Sequence, residues 1–412
     1  MGGMISVEEA RKRVLDMVAV LDTVELPLEE CLGLFLAEEV FSSVDLPPFD
    51  NSAMDGYAVR AADVAGAEQG SPVRLEVLED LPAGYVAESE VGPGQSVRIM
   101  TGAPLPRGAD TVVPVEDTSR EGSGVLISRP WERGANVRKA GEEIGAGDAA
   151  LPAGRRVGPA EMGVLAALGI YRPRVKRRPR AVVLSTGDEL LDPQEELRPG
   201  KIRDTNSYTI AALAREAGAE VRRLGIVRDR AEELRRALRD NLGQADLFIT
   251  SGGVSVGDYD LVKQVLAELG DMDFWKVNMR PGKPQAFGHI GGRPLFGLPG
   301  NPVSVMVSFE QFVRPALRKM MGASELFRPV LEAVVEEPMG RSAGRVEFVR
   351  VVLRRAGGEL LARPTGPQGS GILRSMVLGH GLAVLGEEVG RLQPGQRVTV
   401  QVLRADPEAW AD

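Results

Sequence analysis

The stretch from 179 to 322 constrains the fold most, because short and almost wholly apolar runs alternate there with helical patterns. The runs are Ala181–Leu184, Val221–Val227, Leu247–Thr250, Phe274–Val277 and Pro294–Leu298, and helices are expected near 206–217, 231–240, 260–269 and 302–321. A strand that is apolar on both faces must be covered on both faces, so this alternation predicts a doubly wound α/β domain. Ligands in such a domain bind beyond the carboxyl ends of the strands. The loops that follow the strands are therefore the place to look for chemistry.

Four of those loops have compositions that packing does not explain. Ala181–Leu184 runs into Ser185-Thr186-Gly187-Asp188-Glu189, where a glycine turn delivers two carboxylates to the sheet edge. Leu247–Thr250 runs into Ser251-Gly252-Gly253-Val254-Ser255-Val256-Gly257-Asp258-Tyr259-Asp260, whose glycines let backbone N–H groups approach a ligand. After Leu298 come Pro299-Gly300-Asn301-Pro302-Val303-Ser304, with Asn301 expected as a helix cap, Pro302 at the first helical position and Ser304 among free N–H groups suited to an anion. Lys276, Arg280 and Lys283 surround the turn Pro281-Gly282-Lys283-Pro284 and place fixed positive charge beside these loops. Carboxylates without Cys or His select a hard cation such as magnesium, and Asp/Glu with Lys/Arg is equipment for cleaving a phosphoanhydride by charge neutralisation.

The rest of the chain reads as separate units. Residues 1 to about 45 read as helical, opened by Ser6 and Glu9 as a reciprocal capping box before Val7, Ala10, Val14, Met17 and Val18 at helical spacing. A Pro-rich break at Val44–Asp50 then leads to a mostly-β unit, 51–136, with runs at Val73–Leu78, Ser96–Met100, Thr111–Val115 and Gly124–Ser128. It is expected to be inserted into an elongated unit made of 1–50 and 137–178, while 323–412, with runs at Val346–Leu353 and Arg397–Leu403, is expected to form a small β-barrel. A chain of 412 residues is long enough for several such cores.

Composition narrows the class. A net charge of −8 argues against a nucleic-acid binder. The basic run Arg172–Arg180 is the local exception, and its two prolines suit a solvated interdomain linker. The single cysteine, Cys31, sits in an apolar stretch and reads as a core residue, which fits a reducing, cytoplasmic setting. No run approaches the 18 apolar residues needed to span a bilayer, so no membrane is expected as a partner.

A rival reading comes from Gly253-Val254-Ser255-Val256-Gly257, which matches the nucleophile elbow of a serine hydrolase. A triad needs a histidine as well, and the two present, His289 at an expected hairpin tip and His380 in Leu378-Gly379-His380-Gly381, read as turn residues rather than bases.

Seven motifs in order along nearly the whole chain give a specific resemblance. Asp50–Ala58, Arg98–Pro104, Val137-Arg138 with Gly141–Ile144, Ser185–Leu190, Ser251–Gly257, Pro281–Pro284 and Gly297–Ser304 resemble the signatures of the molybdopterin molybdenumtransferase family, MoeA and the E domain of gephyrin. The resemblance implies an elongated homodimer whose MogA-like α/β domain meets the N-terminal domains of the partner at the active site. The implied reaction takes adenylylated molybdopterin and molybdate to molybdenum cofactor and AMP with a divalent cation, Mg2+. Carried over by motif, Asp55, Thr101, Arg138 and Glu143 would come from the partner subunit, and Glu189, Asp229 and Asp260 would form the metal-binding and catalytic group. Lys276, Arg280 and Lys283 would hold the pterin phosphate or molybdate, with Ser255, Pro284, Ser304, Arg350 and Ser370 or Ser375 completing the substrate pocket. Arg280 stands where the family often has lysine, and Glu143 where it often has aspartate. The molybdopterin adenylyltransferase and molybdoenzymes are the implied protein partners. The resemblance to gephyrin leaves a second class open, a non-catalytic dimeric scaffold, but the full Asp/Glu set favours the enzyme.

Overall fold

The computed structural model describes residues 4–228, 230–252, 265, 267–341 and 343–404. Among these, seven strands form one sheet in the spatial order Met4–Ile5, Gly270–Val277, Pro284–Ile290, Arg293–Leu298, Leu247–Ser251, Arg180–Thr186 and Glu220–Val227. All run parallel except Pro284–Ile290, which is antiparallel to both neighbours. The apolar runs are buried as expected. Ala181 and Val183 face one core together with Leu247 and Ile249, whereas Val182, Leu184 and Phe248 face the other. This period-two division is what a sheet covered on both sides requires.

The antiparallel strand was not anticipated from sequence, because Pro284, Gly288 and His289 interrupt its apolar run. It is joined to Arg293–Leu298 through Gly291 and Gly292, both at positive φ, so the expected hairpin tip is the glycine pair and His289 lies in the strand before it.

The N-terminal segment differs from its expected grouping. Met4–Ile5 adds a strand beside Lys276–Val277, and Val7, Ala10 and Val14 of the helix Val7–Met17 are buried in the same core as Ala181 and Val183. These opening residues therefore pack with the α/β unit and not with the rest of 1–50 and 137–178. Ser6 caps the helix by accepting from the amide of Glu9, but the Glu9 carboxylate turns to Arg13 at 2.6 Å, leaving the capping box one-sided. The expected helicity also ends early. Helix gives way after Met17, and Thr23–Glu25 and Phe35–Leu36 pair with Arg174–Lys176 in a small sheet over the core of Cys31, Leu34, Leu36, Val157, Leu165 and Val175.

A second unit carries a six-stranded sheet built from Gly56–Val59, Val73–Leu81, Gln95–Ile99, Thr111–Pro114, Thr118–Glu121 and Gly124–Ile127. The chain enters at Asn51–Ser52 and leaves at Val137–Arg138, and these two crossings pair with each other. At the C-terminal end, Val330–Val335, Val346–Ala356, Glu359–Pro364, Gly381–Leu385 and Arg397–Val402 close into a barrel, since Val346–Ala356 pairs with both Glu359–Pro364 and Gly381–Leu385. Among the described residues no helix is long and apolar enough to cross a membrane.

The basic run 172–180 is tied down and does not form an open patch. Arg174 pairs with Glu38, and Arg177 and Arg180 both bind Asp246, a carboxylate only 2% exposed. Burial by itself would raise the Asp246 pKa, but the two guanidinium groups and the Arg180 amide outweigh it and hold the carboxyl far below the ordinary range. The linker is thereby fastened to the amino end of the Leu247–Ser251 strand.

Candidate functional site

Register places four loop starts side by side at one end of the sheet. Thr186 is paired with Val227, Ser185 with Ser251, and Ser251 with Leu298, so the segments starting at Gly187, Arg228, Gly252 and Pro299 all leave the same edge. Gly252 has a φ of +93°, and a Cβ there would stand 2.4 Å from the Thr186 carbonyl oxygen, so no other residue lets the backbone turn at this spot. Asp188 and Glu189 are exposed beyond this turn.

Lys276, Arg280, Lys283 and Pro284 lie at the same edge, because Gly270–Val277 runs parallel to the central strands and Lys276 is paired with Pro284. The intervening turn is held by Gln285, whose amide donates to the Gly282 carbonyl and the Ser308 hydroxyl, both at 2.6 Å. Gly282, at φ +102°, is packed so closely that a Cβ would meet Ser308 Oγ at 2.7 Å. Met279–Arg280 also pairs with Val346–Glu347 of the barrel, so the cationic turn is seated between sheet and barrel. Several arginines of this chain are tied into ion pairs, such as Arg177 and Arg180 on Asp246 and Arg328 on Glu310. Among the described residues, however, the side chains of Lys276, Arg280 and Lys283 take part in no hydrogen bond or ion pair, nor does the carboxylate of Glu189.

Arg350 completes the cationic side. It is 1% exposed, donates from Nε to Ser375 Oγ at 3.1 Å and from Nη2 to the Gly369 carbonyl at 3.1 Å, and has no ion pair among the described residues. Burial pushes its guanidinium pKa down to about 10, against a small opposing effect of Glu347. The structure separates the two candidate serines. Ser375 is buried with its hydroxyl on Arg350, whereas Ser370 offers its carbonyl to the Val303 amide at 3.0 Å. That bond joins the Arg350 loop to the first turn of helix Pro302–Ser308, where Ser304 is buried. Asn301 is the helix cap in backbone conformation, but its side chain makes no capping hydrogen bond.

Asp55 and Thr101 meet in the second unit, and Arg138 and Glu143 lie where the chain crosses back from it. Asp55 Oδ1 accepts from both the hydroxyl (2.6 Å) and the amide (2.7 Å) of Thr101, and these two bonds lower its pKa. Arg138 is paired with Asn51, and Glu143 is anchored through its amide to the Leu46 carbonyl. All four side chains are exposed. Among the described residues no hydrogen bond or ion pair links this group to the sheet edge within one chain. Asp229, Ser255 and Asp260 lie outside the described residues.

The hydrolase constellation finds no base. His289 Nε2 faces the Met17 carbonyl at 3.0 Å, and its register partner Pro294 is four residues from Leu298, about 13 Å along the strand from the loop edge. His380 is bonded through Nδ1 to the backbone of Leu353 in the barrel.

Sequence reading missed Asp204 and Asn206. Asp204 is 2% exposed and accepts from the hydroxyls of Ser185 (2.9 Å) and Ser207. Asn206 Nδ2 donates to Ser251 Oγ (2.8 Å) and to the Gly300 carbonyl (2.7 Å). The available signal was Asp204-Thr205-Asn206-Ser207 at the start of helix Asn206–Glu216, a run of short polar residues richer than one cap requires.

Comparison with known proteins covers the chain almost end to end. Residues 5–169 match the model of the MoeA N-terminal region (domain I and II), 182–319 that of the probable molybdopterin binding domain, and 332–403 that of the MoeA C-terminal region (domain IV). Molybdopterin molybdenumtransferase 2 of Mycobacterium tuberculosis is 40% identical over 96% of this chain and 99% of its own length. The molybdopterin molybdenumtransferase of Haemophilus influenzae is 36% identical over 97% of this chain and 98% of its own. The crystal structure of the molybdopterin biosynthesis moeA protein from Pyrococcus horikoshii OT3 superposes with a TM-score of 0.83 at 31% identity, covering 97% of this chain and all of that one.

Proposed function

Because the chain belongs to the molybdopterin molybdenumtransferase (MoeA) family, we propose that its α/β sheet edge is where molybdenum from molybdate is inserted into adenylylated molybdopterin, with release of AMP. The observation that carries this reading is the set of cations Lys276, Arg280 and Lys283, which have no side-chain partner among the described residues, together with the buried Arg350, which has no ion pair among them. Both substrates are oxyanions that repel one another, and fixed positive charge is what brings them into one cleft. Arg350 with Ser375, and the first turn carrying Ser304, form the pocket for the tetrahedral oxyanion, while the lysines and Arg280 receive the phosphate of the pterin. The dithiolene of the substrate takes up the metal, so the lone, buried Cys31 has no part in the transfer.

A hard cation is suited by oxygen donors, and the Glu189 carboxylate is exposed and has no partner among the described residues. Glu189, Asp229 and Asp260 would hold Mg2+, which when bound neutralises charge on the departing AMP phosphate. Asp55, held ionised by Thr101, together with Arg138 and Glu143, is exposed and, among the described residues, has no bond to the sheet edge of its own chain. That supports a homodimer in which each edge is completed by the partner. Ser255 and Pro284 are assigned to the substrate pocket by their loops. The molybdopterin adenylyltransferase and molybdoenzymes are the proposed upstream and downstream partners.

The test is molybdate-dependent AMP release from adenylylated molybdopterin by the purified full-length protein. Release is expected to require magnesium, to stop on chelation, and to fall at least a hundredfold in Glu189→Ala. Wild-type rates in that variant, or no release by the wild-type protein, would overturn the reading.

A further inference from the structure

We propose that Asn206 is a positioning residue that clamps the strand end at Ser251 to the turn at Pro299–Gly300, and so sets the geometry in which the transfer takes place; this rests on the function proposed above. Its amide nitrogen has two hydrogens about 120° apart, and both are used, one on Ser251 Oγ at 2.8 Å and one on the Gly300 carbonyl at 2.7 Å. Ser251 and Leu298 are register partners, so Asn206 bridges the ends of two adjacent strands at the point where each turns into its loop. Two further bonds close the same joint, from the Ser251 hydroxyl to the Pro299 carbonyl at 3.3 Å and from the Gly252 amide to the Leu298 carbonyl at 3.2 Å.

Asp204 extends the clamp to a third strand. Its buried carboxylate takes the Ser185 hydroxyl at 2.9 Å and the amide of Ser207 at 3.0 Å. Arg223 locks the far side by donating to Ser207 Oγ at 3.1 Å. The start of helix Asn206–Glu216 is thus fastened to the ends of three neighbouring strands, two of which lead into Glu189 and into Ser304. An asparagine is required because no other side chain of this reach offers two donors in one plane. Aspartate is isosteric but offers none, and it would set a negative charge against the Gly300 carbonyl. The cations Lys276, Arg280, Lys283 and Arg350 are on other elements, so the clamp bears on alignment of the reacting groups more than on capture of anions.

Three variants of the full-length protein, Asn206→Ala, Asn206→Asp and Ser251→Ala, are to be compared with wild type in AMP release and in amide hydrogen exchange of peptides spanning 298–304. Asn206→Ala and Asn206→Asp are expected to lose at least tenfold in kcat, with KM for molybdate changed less than threefold and the melting temperature lowered by only a few degrees. The double variant Asn206→Ala with Ser251→Ala is expected to be no slower than Asn206→Ala alone, since both act through one joint. Exchange at 298–304 is expected to speed up while the barrel strands stay unchanged. A wild-type kcat in Asn206→Asp, losses that multiply in the double variant, or unchanged exchange at 298–304 would overturn the proposal. A wild-type protein that releases no AMP would instead sink the transferase reading, and the exchange measurement would still decide whether Asn206 clamps the turn.

Discussion

Replacing Arg350 by methionine separates a binding role from a structural one, because the two predict opposite costs. The drop of its pKa from 12.5 to about 10 means that burial disfavours the charged form by about 3 kcal/mol, at 1.4 kcal/mol per tenfold. Against this stand two hydrogen bonds, to Ser375 Oγ and the Gly369 carbonyl, each worth about 1.5 kcal/mol for a charged donor. These nearly cancel, so the unliganded Arg350→Met protein should keep its stability to within about 2 kcal/mol, and methionine fills a similar volume. Molybdate binding should respond differently. Loss of two charge-assisted hydrogen bonds in a buried pocket removes about 3–5 kcal/mol, a weakening of at least about a hundredfold. The assay is thermal unfolding with and without molybdate. At a hundred times its dissociation constant the oxyanion should stabilise the wild-type protein by about 2.7 kcal/mol and Arg350→Met by no more than about 0.4 kcal/mol. Arg350→Lys should fall between them, since it keeps the charge without the fork. A variant still stabilised by molybdate to the wild-type extent, or an unliganded variant that loses more than about 4 kcal/mol, would refute the reasoning.

Three further outcomes are expected. Asp246→Asn should cost about 3 kcal/mol at pH 7, because it removes a buried carboxylate that accepts from Arg177 and Arg180, both partly exposed and able to rehydrate. Since the folded-state pKa of Asp246 is depressed, its stabilisation is complete above the unfolded value of about 4 and is lost as pH falls. The difference between wild type and variant in urea titrations should therefore shrink progressively as pH falls below about 4, and a constant difference down to pH 2 would contradict the assignment. Mixing inactive Asp55→Ala with inactive Glu189→Ala protein should restore activity towards about a quarter of wild type, since random exchange makes half of the dimers mixed and each mixed dimer has one intact site. No recovery after subunit exchange, verified by a tagged chain, would show that both residues serve a site within one chain. Lys283→Ala should raise the KM for adenylylated molybdopterin tenfold or more, with a loss that shrinks at high ionic strength. An unchanged salt dependence of the initial rate would remove Lys283 from the phosphate site.

Much of the candidate site is legible in the chain because the features that nominate it are local. A glycine turn such as Thr186-Gly187-Asp188-Glu189 is recognisable wherever it occurs, and Pro281–Pro284 marks a stiff turn with its lysine and arginine in plain view. The reading failed where a residue acts through distant partners. Asn206 and Asp204 look like ordinary helix-start residues, and only the approach of Ser185, Ser251 and Gly300 turns them into a clamp. The basic run 172–180 looked like a solvated linker because its counter-charges, Glu38, Asp22 and Asp246, are far away in sequence.

The sequence by itself determined the periodicities and the turns: which runs are strands apolar on both faces, where glycine and proline break them, and which charged residues stand at the breaks. Tertiary structure alone decided that Met4–Ile5 lies beside Lys276–Val277, that Pro284–Ile290 runs against its neighbours, and that Arg177 and Arg180 meet Asp246. The physical reason is that burial preference and turn geometry are properties of a few consecutive residues. Strand order and the pairing of remote charges are instead chosen by which assembly leaves the fewest buried polar groups unmatched, and that choice is made only when the whole chain has packed.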